Sequence, residues 1–370
     1  MSKIRVLQFP ISANNGVKTY ALNNWKFLDK SRFECDFVIV RPNLGFEGEF
    51  TKQGAGVKYI LSSPEKESKQ YIESIRKLLL GNYDVVHLHT SYWKRLLIEQ
   101  IAMECNIPKV IVHSHNTQID IVDESKRKQA EKVHWELREK FDINLATDFC
   151  ACSWAAADWL FGPKIPREQI KILHNAIDIE KFAYNPSVQA KCRNLLGVED
   201  NFVMGHIGRF SAQKNHDFLI DVFYEVSKEL TNAKLMLVGE GPLENLVREK
   251  VERLGIMDKV LFLGQRQDIP QLLQAMDVFC LPSKFEGLPI SLVEAQASGL
   301  MCIASIQVPE EGTIVSTHMA RLPLVLEKWV AALIEVARSS FCRQSSLSEF
   351  VEQGYDLRHS VIDIEKLYSL

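Results

Sequence analysis

The chain has 370 residues, of which 46% are hydrophobic and 25% charged, a composition typical of a soluble globular protein. No apolar stretch is long enough to span a bilayer. At this length two domains are expected. Eight cysteines are scattered without CxxC pairs, and the N-terminal apolar run is too short for a signal peptide. A reduced, cytoplasmic location is therefore expected.

The formal net charge of −3 is unevenly distributed along the chain. Residues 1–174 hold 25 Lys and Arg against 21 Asp and Glu, a balance of +4, which leaves −7 for residues 175–370. A basic first half could face anionic phospholipid headgroups or a phosphorylated ligand. Ordinary solvated charge explains the same balance equally well.

Short apolar runs in the first half predict strands of a parallel sheet. They lie at Ile4–Phe9, Phe37–Val40, Val57–Leu61, Asp84–His89, Lys109–Asn116 and Phe149–Ser153. Helices are predicted from about Val17 and over Ser68–Leu80. The small polar loop Ser12–Gly16 leaves backbone N–H groups free to hold an anion.

Histidines stand at the ends of two of these strands. His87 and His89 point to the same side by the period of a strand. His113 and His115 follow the next strand in the same way. Packed, hydrogen-bonded histidines are the commoner outcome. A zinc site is the alternative, but no third ligand stands at zinc-ligand spacing.

The second half begins with a strand at Phe202–Ile207, followed by Gly208, Arg209 and Lys214 at the start of a helix. Two cations five residues apart are usually surface charge. Further strands are predicted at Leu235–Val238 and Val260–Leu263.

Residues 277–305 carry the most informative pattern. Val278–Leu281 predicts a buried strand, and a loop with Glu286 and Gly287 follows. Pro289 is expected at the first position of a helix that runs over Ile290–Ala297 and contains Glu294. Gly299 lies where a left-handed C-terminal cap would fall. In such a strand–loop–helix unit, ligands gather at the carboxyl end of the strand.

The spacing of Glu286 and Glu294, with Pro-Ser before and Glu-Ala-Gln-Ala-Ser-Gly after, resembles the signature of retaining GT-B glycosyltransferases of family four. The resemblance implies an α/β protein of GT-B fold, with two doubly wound Rossmann-like domains facing across a cleft. The expected bounds are 1–178 for the acceptor-side domain and 179–345 for the nucleotide-sugar domain. Residues 346–370 are expected to return to the first domain as a helix. After Ser305 the match to the family pattern fades.

The resemblance also implies roles for individual residues. Glu286 would bind the hydroxyls of the donor sugar and Glu294 the ribose, while Arg209 and Lys214 would stabilise the leaving diphosphate. A histidine at the end of the fifth strand would contact the donor sugar, and His113 and His115 are equal candidates. The remaining expected donor contacts are Gly16, Gly208, Arg266 at the base, and the helix start Gly287, Leu288, Pro289 and Ile290.

The implied function is transfer of a sugar from a nucleotide-sugar donor, UDP-linked by expectation, to a glycan or lipid-linked acceptor. Retention at the anomeric carbon, a role in cell-surface polysaccharide synthesis and peripheral contact with the inner face of the membrane are expected. No cofactor, no metal and no nucleic acid are expected as partners. The alternatives are a catalytically silent nucleotide-sugar-binding subunit and a GT-B epimerase. A phosphorylase would need a pyridoxal-binding lysine, for which no motif is present.

Overall fold

The computed structural model describes residues 2–11, 16–39, 47–52, 54–60, 69–339 and 341–370, apart from the side chain of Glu49. The chain divides into two compact units. Unit 1 comprises Met1–Ile119, Asp123–Asn175 and Leu357–Leu370, and unit 2 comprises Asp120–Val122 and Ala176–Asp356. None of the helices in the described part is long and apolar enough to cross a membrane.

Unit 1 is built on a seven-stranded parallel sheet in the order β3-β2-β1-β4-β5-β6-β7. Its strands are β1 Ile4–Ile11, β2 Phe33–Ile39, β3 Gly56–Tyr59, β4 Val85–Thr90, β5 Lys109–Ser114, β6 Asp148–Ala151 and β7 Ile170–Ile172. Its helices are α1 Gly16–Phe27, α2 Glu47–Lys52, α3 Lys69–Leu79, α4 Leu97–Glu104, α5 Glu124–Lys140 and α6 Trp154–Leu160, together with the C-terminal helix α15 Leu357–Tyr368. A 3-10 turn, Arg167–Gln169, precedes β7.

Unit 2 repeats this plan with a six-stranded parallel sheet in the order β10-β9-β8-β11-β12-β13. Its strands are β8 Phe202–Ile207, β9 Ala233–Val238, β10 Val260–Phe262, β11 Val278–Leu281, β12 Met301–Ser305 and β13 Met319–Leu322. Its helices are α7 Ile179–Phe182, α8 Pro186–Leu196, α9 His216–Glu229, α10 Glu244–Arg253, α11 Ile269–Ala275, α12 Ile290–Ala297, α13 Leu326–Arg338 and α14 Leu347–Glu352. Short 3-10 turns lie at Met257–Lys259, Glu310–Gly312 and Ser316–His318.

Apolar residues from both faces of each sheet form the cores. In unit 2, strands β8, β9 and β11 contribute Met204, Leu235 and Cys280, which are fully buried under helices α9 and α13. Parallel strands buried on both faces are expected to read as continuous apolar runs, which is why the sequence located them well.

The closing segment predicted at 346–370 divides between the units. Helix α14 belongs to unit 2, and helix α15 belongs to unit 1, where it packs against α1. The chain thus re-enters unit 1 for its last fourteen residues, Leu357–Leu370.

Both sheets have a topological switch point, where the strand order reverses direction. It lies between β1 and β4 in unit 1 and between β8 and β11 in unit 2. In open parallel sheets ligands bind at the carboxyl ends of the strands beside this point. Ligand-binding residues are therefore expected just after these four strands.

Candidate functional site

In unit 2 the loop after β8, residues 208–215 and called the Gly208 loop, is held against the loop after β9. The amide of Gly208 donates to Val238 O at 2.9 Å, and the amide of Phe210 donates to Glu240 O at 3.1 Å. Gly239 has φ +136°, and a Cβ there would lie 2.2 Å from Gly208 O. Only glycine permits this approach, so the second loop fixes the course of the Gly208 loop.

Lys214 and Glu286 form an ion pair at this position. Lys214 Nζ lies 2.6 Å from Glu286 Oε1, and the two side chains are only 15% and 7% exposed. Gln213 completes the arrangement, because its side-chain amide donates to Phe285 O at 3.0 Å and to Glu286 Oε2 at 3.1 Å. A pair removed from water in this way is costly to break by removing one partner. The sequence predicted both charged residues at the site but neither their pairing nor the part played by Gln213.

Arg209 and Arg266, the other predicted cations, are both exposed. The described part of the chain offers Arg209 no carboxylate at ion-pair distance, so its guanidinium is available to an anion. Arg266 instead makes a bidentate pair with Asp268, at 2.8 and 2.7 Å. Gly208 lies beside Lys214, since a Cβ at Gly208 would come within 3.2 Å of the Lys214 side chain.

Helix α12 carries the second predicted glutamate. The prediction that Pro289 occupies the first helical position is wrong by one residue, because Pro289 is the N-cap, with φ −75° and ψ 110°. Its missing N–H costs nothing at either position, so sequence alone does not separate them. The predicted cap at Gly299 is confirmed by φ +69°.

Glu294 lies on the second turn of α12 and is half-buried. Desolvation raises the pKa of its carboxyl to about 8, although Lys181 opposes the shift. A carboxyl that keeps its proton at neutral pH can both donate and accept hydrogen bonds. The predicted contacts Gly287, Leu288 and Ile290 are buried at the start of this helix.

Two further buried histidines, which no sequence pattern marks, lie behind the Gly208 loop. His206 Nδ1 lies 2.8 Å from Cys280 O, and the ring of His216 meets the ring of His206 edge-on at 4.6 Å. Burial lowers the pKa of His206 to about 4 and that of His216 well below its usual value. Both rings are thus neutral and add no charge to the site.

In unit 1 the predicted histidines form one cluster. His89 and His113 are register partners on β4 and β5, and the rings of His113 and His115 stack at 4.1 Å. His87 and His113 are fully buried, whereas His115 is partly exposed. Burial is the main cause that lowers the pKa of all four, to about 3 for His87 and His115. The cluster is therefore uncharged at neutral pH.

Two residues from distant parts of the chain complete this cluster. Gln8 on β1 and Tyr368 on α15 join the four histidines through hydrogen bonds of 2.8–3.0 Å. We call these six side chains the imidazole network: Gln8, His87, His89, His113, His115 and Tyr368. The ring of Tyr20 on α1 meets His113 and His115 edge-on. No local pattern marks Gln8, Tyr20 or Tyr368, because the fold alone brings them together.

In the sequence, no third ligand stands at zinc-ligand spacing. In the fold, however, ligand nitrogens of His87, His89 and His113 lie within 4.8 Å of one another. Several of these nitrogens already take part in hydrogen bonds, however. A metal ion would have to replace those protons.

Gly16, predicted to bind the donor, is the exposed first residue of α1. The loop residues before it, 12–15, lie outside the described residues. Within the described residues, the structure therefore places Gly208, Lys214 and Glu286 together in unit 2, and His113 and His115 together in unit 1.

Comparison with known proteins agrees with this geometry. Residues 14–181 match the family model described as Glycosyltransferase Family 4, and residues 201–337 match the model described as Glycosyl transferases group 1. The second match extends well past Ser305, so the expectation that the resemblance fades there is wrong.

Individual relatives cover most or all of the chain. EpsF of Bacillus subtilis, a protein assigned as a glycosyltransferase, is 29% identical over 100% of this chain and 97% of its own length. The UDP-Gal:alpha-D-GlcNAc-diphosphoundecaprenol alpha-1,3-galactosyltransferase of Escherichia coli is 30% identical over 65% of this chain and 62% of its own. The crystal structure of Anabaena HepE in complex with UDP and glucose superposes with a TM-score of 0.81 at 21% identity, covering 100% of both chains. The expected fold class is confirmed, and the chain belongs to the GT-B glycosyltransferases of family four.

Proposed function

We propose that the chain transfers a sugar from a UDP-linked donor to a glycan or lipid-linked acceptor, with retention of configuration at the anomeric carbon. The observation that carries this proposal is the Lys214–Glu286 pair, held at 2.6 Å beside the Gly208 loop. The name of the Escherichia coli relative supports a UDP donor and a diphosphoundecaprenol acceptor. A relative named as a Vi polysaccharide biosynthesis protein, from Salmonella typhi, supports a role in surface polysaccharide synthesis.

The cations of unit 2 match the chemistry of the leaving group. When the bond to the sugar breaks, negative charge develops on the diphosphate. Arg209 is exposed, and Lys214 has one carboxylate partner in Glu286. These two charges would stabilise the departing UDP where other enzymes use a divalent ion, so the reaction is proposed to need no metal.

The glutamates match the hydroxyls of the donor. Glu286 is nearly buried and accepts from both Lys214 and Gln213, which orients its carboxylate toward one position. Glu294, with a pKa near 8, would bind the ribose as both donor and acceptor. Hydrogen bonds of this kind select a polyhydroxyl ligand rather than a simple phosphate.

The acceptor is proposed to be reached at the inner face of the membrane. The basic balance of residues 1–174 favours an anionic surface or a diphosphate-linked lipid. The charge balance and the named substrate of the Escherichia coli relative both support this location.

The test is a transfer assay with UDP-galactose, UDP-glucose and UDP-N-acetylglucosamine, with undecaprenyl-diphosphate-linked N-acetylglucosamine as acceptor. We expect one donor to be consumed, in excess EDTA, with an α-linked product by NMR. Loss of activity in EDTA that manganese or magnesium restores would contradict the metal-free chemistry. A β-linked product would contradict retention, and UDP binding without any transfer would indicate a silent subunit.

A further inference from the structure

The six side chains of the imidazole network form one unbranched series. Five hydrogen bonds of 2.8–3.0 Å connect them in the order His115, His89, Gln8, Tyr368, His87 and His113. The two ends of the series are adjacent, because the rings of His113 and His115 stack at 4.1 Å. The series therefore starts and finishes on the same pair of rings.

Each member of a neutral series passes on one proton and receives one, so a single group sets the direction of all the bonds. That group is the amide of Gln8, whose Oε1 faces His89 Nε2 and whose Nε2 faces the hydroxyl of Tyr368. An amide oxygen only accepts and an amide nitrogen only donates. His89 must therefore donate from Nε2, and Tyr368 receives a proton from Gln8.

The remaining protons follow from these two. Tyr368 has one hydroxyl proton, which goes to His87 Nδ1, so His87 donates from Nε2 to His113 Nδ1. His89 accepts at Nδ1 from His115 Nε2. Neutral His113 then carries its proton on Nε2, and neutral His115 has an unprotonated Nδ1.

The two ends of the series therefore differ, because His113 offers an N–H donor and His115 offers a lone pair. His113 Nε2 is buried and has no hydrogen-bond partner among the residues that the structure describes. The hydroxyl of Tyr20, whose ring meets the His113 ring edge-on, is also buried and has no partner there. Buried polar groups without partners are rare in native proteins and call for an explanation. A ligand that accepts from His113 and donates to His115 would supply it.

We propose that Gln8 and Tyr368 fix the polarity of the imidazole network, so that His113 presents an N–H donor and His115 a lone pair to a hydroxyl of the sugar substrate. Gln8, His87, His89 and Tyr368 are positioning residues in this scheme, and His113 and His115 touch the ligand. The choice of a sugar as ligand rests on the proposed function, whereas the polarity of the network does not.

The chemistry favours a hydroxyl over charged groups. A hydroxyl accepts one hydrogen bond and donates one, which matches one N–H and one lone pair. A carboxylate would require a second donor, and an ammonium group a second acceptor. Charging an imidazole here is costly, because burial depresses the pKa of all four. The network therefore selects neutral sugars over uronates and amino sugars at the contacted position.

The polarity is tested without any ligand. In ¹⁵N-histidine-labelled full-length protein at neutral pH, protonated and unprotonated ring nitrogens are resolved by NMR and assigned with single His→Gln variants. We expect His87, His89, His113 and His115 all to carry the proton on Nε2. A mixture of tautomers, or a proton on Nδ1 of His113, would overturn the proposal. So would a stoichiometric metal ion in the purified protein, measured by atomic emission.

The variant Tyr368→Phe removes one oxygen from the middle of the series. His87 and His113 should lose their single tautomer, while His89 and His115, on the Gln8 side, keep theirs. Tyr83→Phe is the matched control, since it deletes another buried hydroxyl of unit 1, bonded to Asp36 at 2.5 Å. It should leave all four imidazoles unchanged. Equal spectra for wild type and Tyr368→Phe would remove Tyr368 from the network.

Adding ligands distinguishes a failure of this inference from a failure of the proposed function. UDP alone should raise the melting temperature without moving the His113 and His115 signals, and UDP-galactose, UDP-glucose or the glycan acceptor should move both. If UDP does not bind, the proposed function fails. If UDP binds but none of the sugars moves these signals, the hydroxyl site fails. In the transfer assay Tyr368→Phe should lower kcat/KM about tenfold, the worth of one misoriented hydrogen bond, with UDP affinity unchanged.

Discussion

Units 1 and 2 share a sheet plan but differ in the charge that they place at the switch point. In unit 2 the carboxyl ends of the strands carry ions, the cation Arg209 and the pair Lys214–Glu286. In unit 1 the same place is filled by four neutral imidazoles, an amide and a phenol. The backbone of each unit determines where a ligand can bind, and the side chains determine which chemical group is bound there. Cations suit a diphosphate, and a neutral donor–acceptor pair suits a hydroxyl.

The two arrangements also differ in how burial is tolerated. A buried ion must be paired with an opposite charge, as Lys214 is with Glu286. When an anion binds, Lys214 has to divide its interaction between Glu286 and that anion. A neutral network has no net charge to match and only needs its hydrogen bonds complete. Substitutions in unit 2 should therefore cost more activity than substitutions in unit 1.

The largest effect is expected for Lys214→Ala. It removes a positive charge from the leaving diphosphate, worth about 3 kcal/mol, or a hundredfold or more in kcat. Lys250→Ala is the matched control, because Lys250 is equally buried and ion-paired in the same unit, with Asp217 and Asp221. Both variants should lose stability in urea, but only Lys214→Ala should lose turnover. Similar turnover in the two would contradict the assignment.

Arg209→Ala should follow closely in its effect on turnover. Arg209 is exposed. Its loss should therefore leave the free energy of unfolding unchanged while kcat falls about a hundredfold. Arg338→Ala, at another exposed arginine of unit 2, serves as the control and should turn over like wild type. Wild-type turnover in Arg209→Ala would show that Arg209 does not act together with Lys214 in catalysis.

Smaller losses are expected for Glu286→Ala and Glu294→Ala. Each removes hydrogen bonds to donor hydroxyls, so the Kd of the donor should rise about tenfold for each bond lost. Calorimetric titration of the donor measures this, with the exposed Glu249→Ala as control. Unchanged donor affinity and rate in both variants would remove the paired glutamates from the site.

Acid should weaken unit 1 more than unit 2. The folded pKa of each network histidine lies below its unfolded value of about 6.5, so the unfolded state binds more protons as the pH falls. Each group then costs up to about 1.4 kcal/mol of stability per pH unit below 6.5. For His87 and His115 this loss continues until the folded pKa of about 3 is reached. Unit 1 also contains Glu99, and burial raises the pKa of its carboxyl to about 7. Folded Glu99 therefore takes up its proton before unfolded Glu99 does as the pH falls. This uptake stabilises the fold and offsets the cost of one histidine.

Hydrogen exchange between pH 6.5 and 5 measures this difference strand by strand. Strands β4 and β5 should lose protection faster than β8 and β11, where fewer buried histidines lie nearby. Equal losses in the two sheets would show that the imidazoles of unit 1 do not remain neutral.

The smallest effect is expected for the binding of the protein to anionic membranes. If the basic balance of residues 1–174 docks the protein on lipid, it should pellet with phosphatidylglycerol vesicles at low salt and release at high salt. Neutral phosphatidylcholine vesicles are the control. No binding at low salt would favour a soluble acceptor.

The sequence by itself determined the parts that depend on local patterns. Apolar runs located most strands of both sheets, although β13 was missed, and Gly208, Arg209 and Lys214 after β8 and the Glu286–Glu294 spacing after β11 located the charged site. Errors here were small, such as the shift of Pro289 from the first helical position to the N-cap. Helices α8 and α10 were left unassigned, because their amphipathic pattern carries no distinctive motif.

Only the tertiary structure decided which of these residues meet. Lys214 and Glu286 are 72 residues apart, and Tyr368 lies 281 residues from His87. Strand register aligns His89 with His113, and the return of α15 to unit 1 brings Tyr368 to Gln8. A hydrogen bond depends on distance and direction to within a fraction of an ångström, and neighbours along the chain do not encode that. The polarity of the imidazole network is therefore a property of the fold, although every side chain in it is written in the sequence.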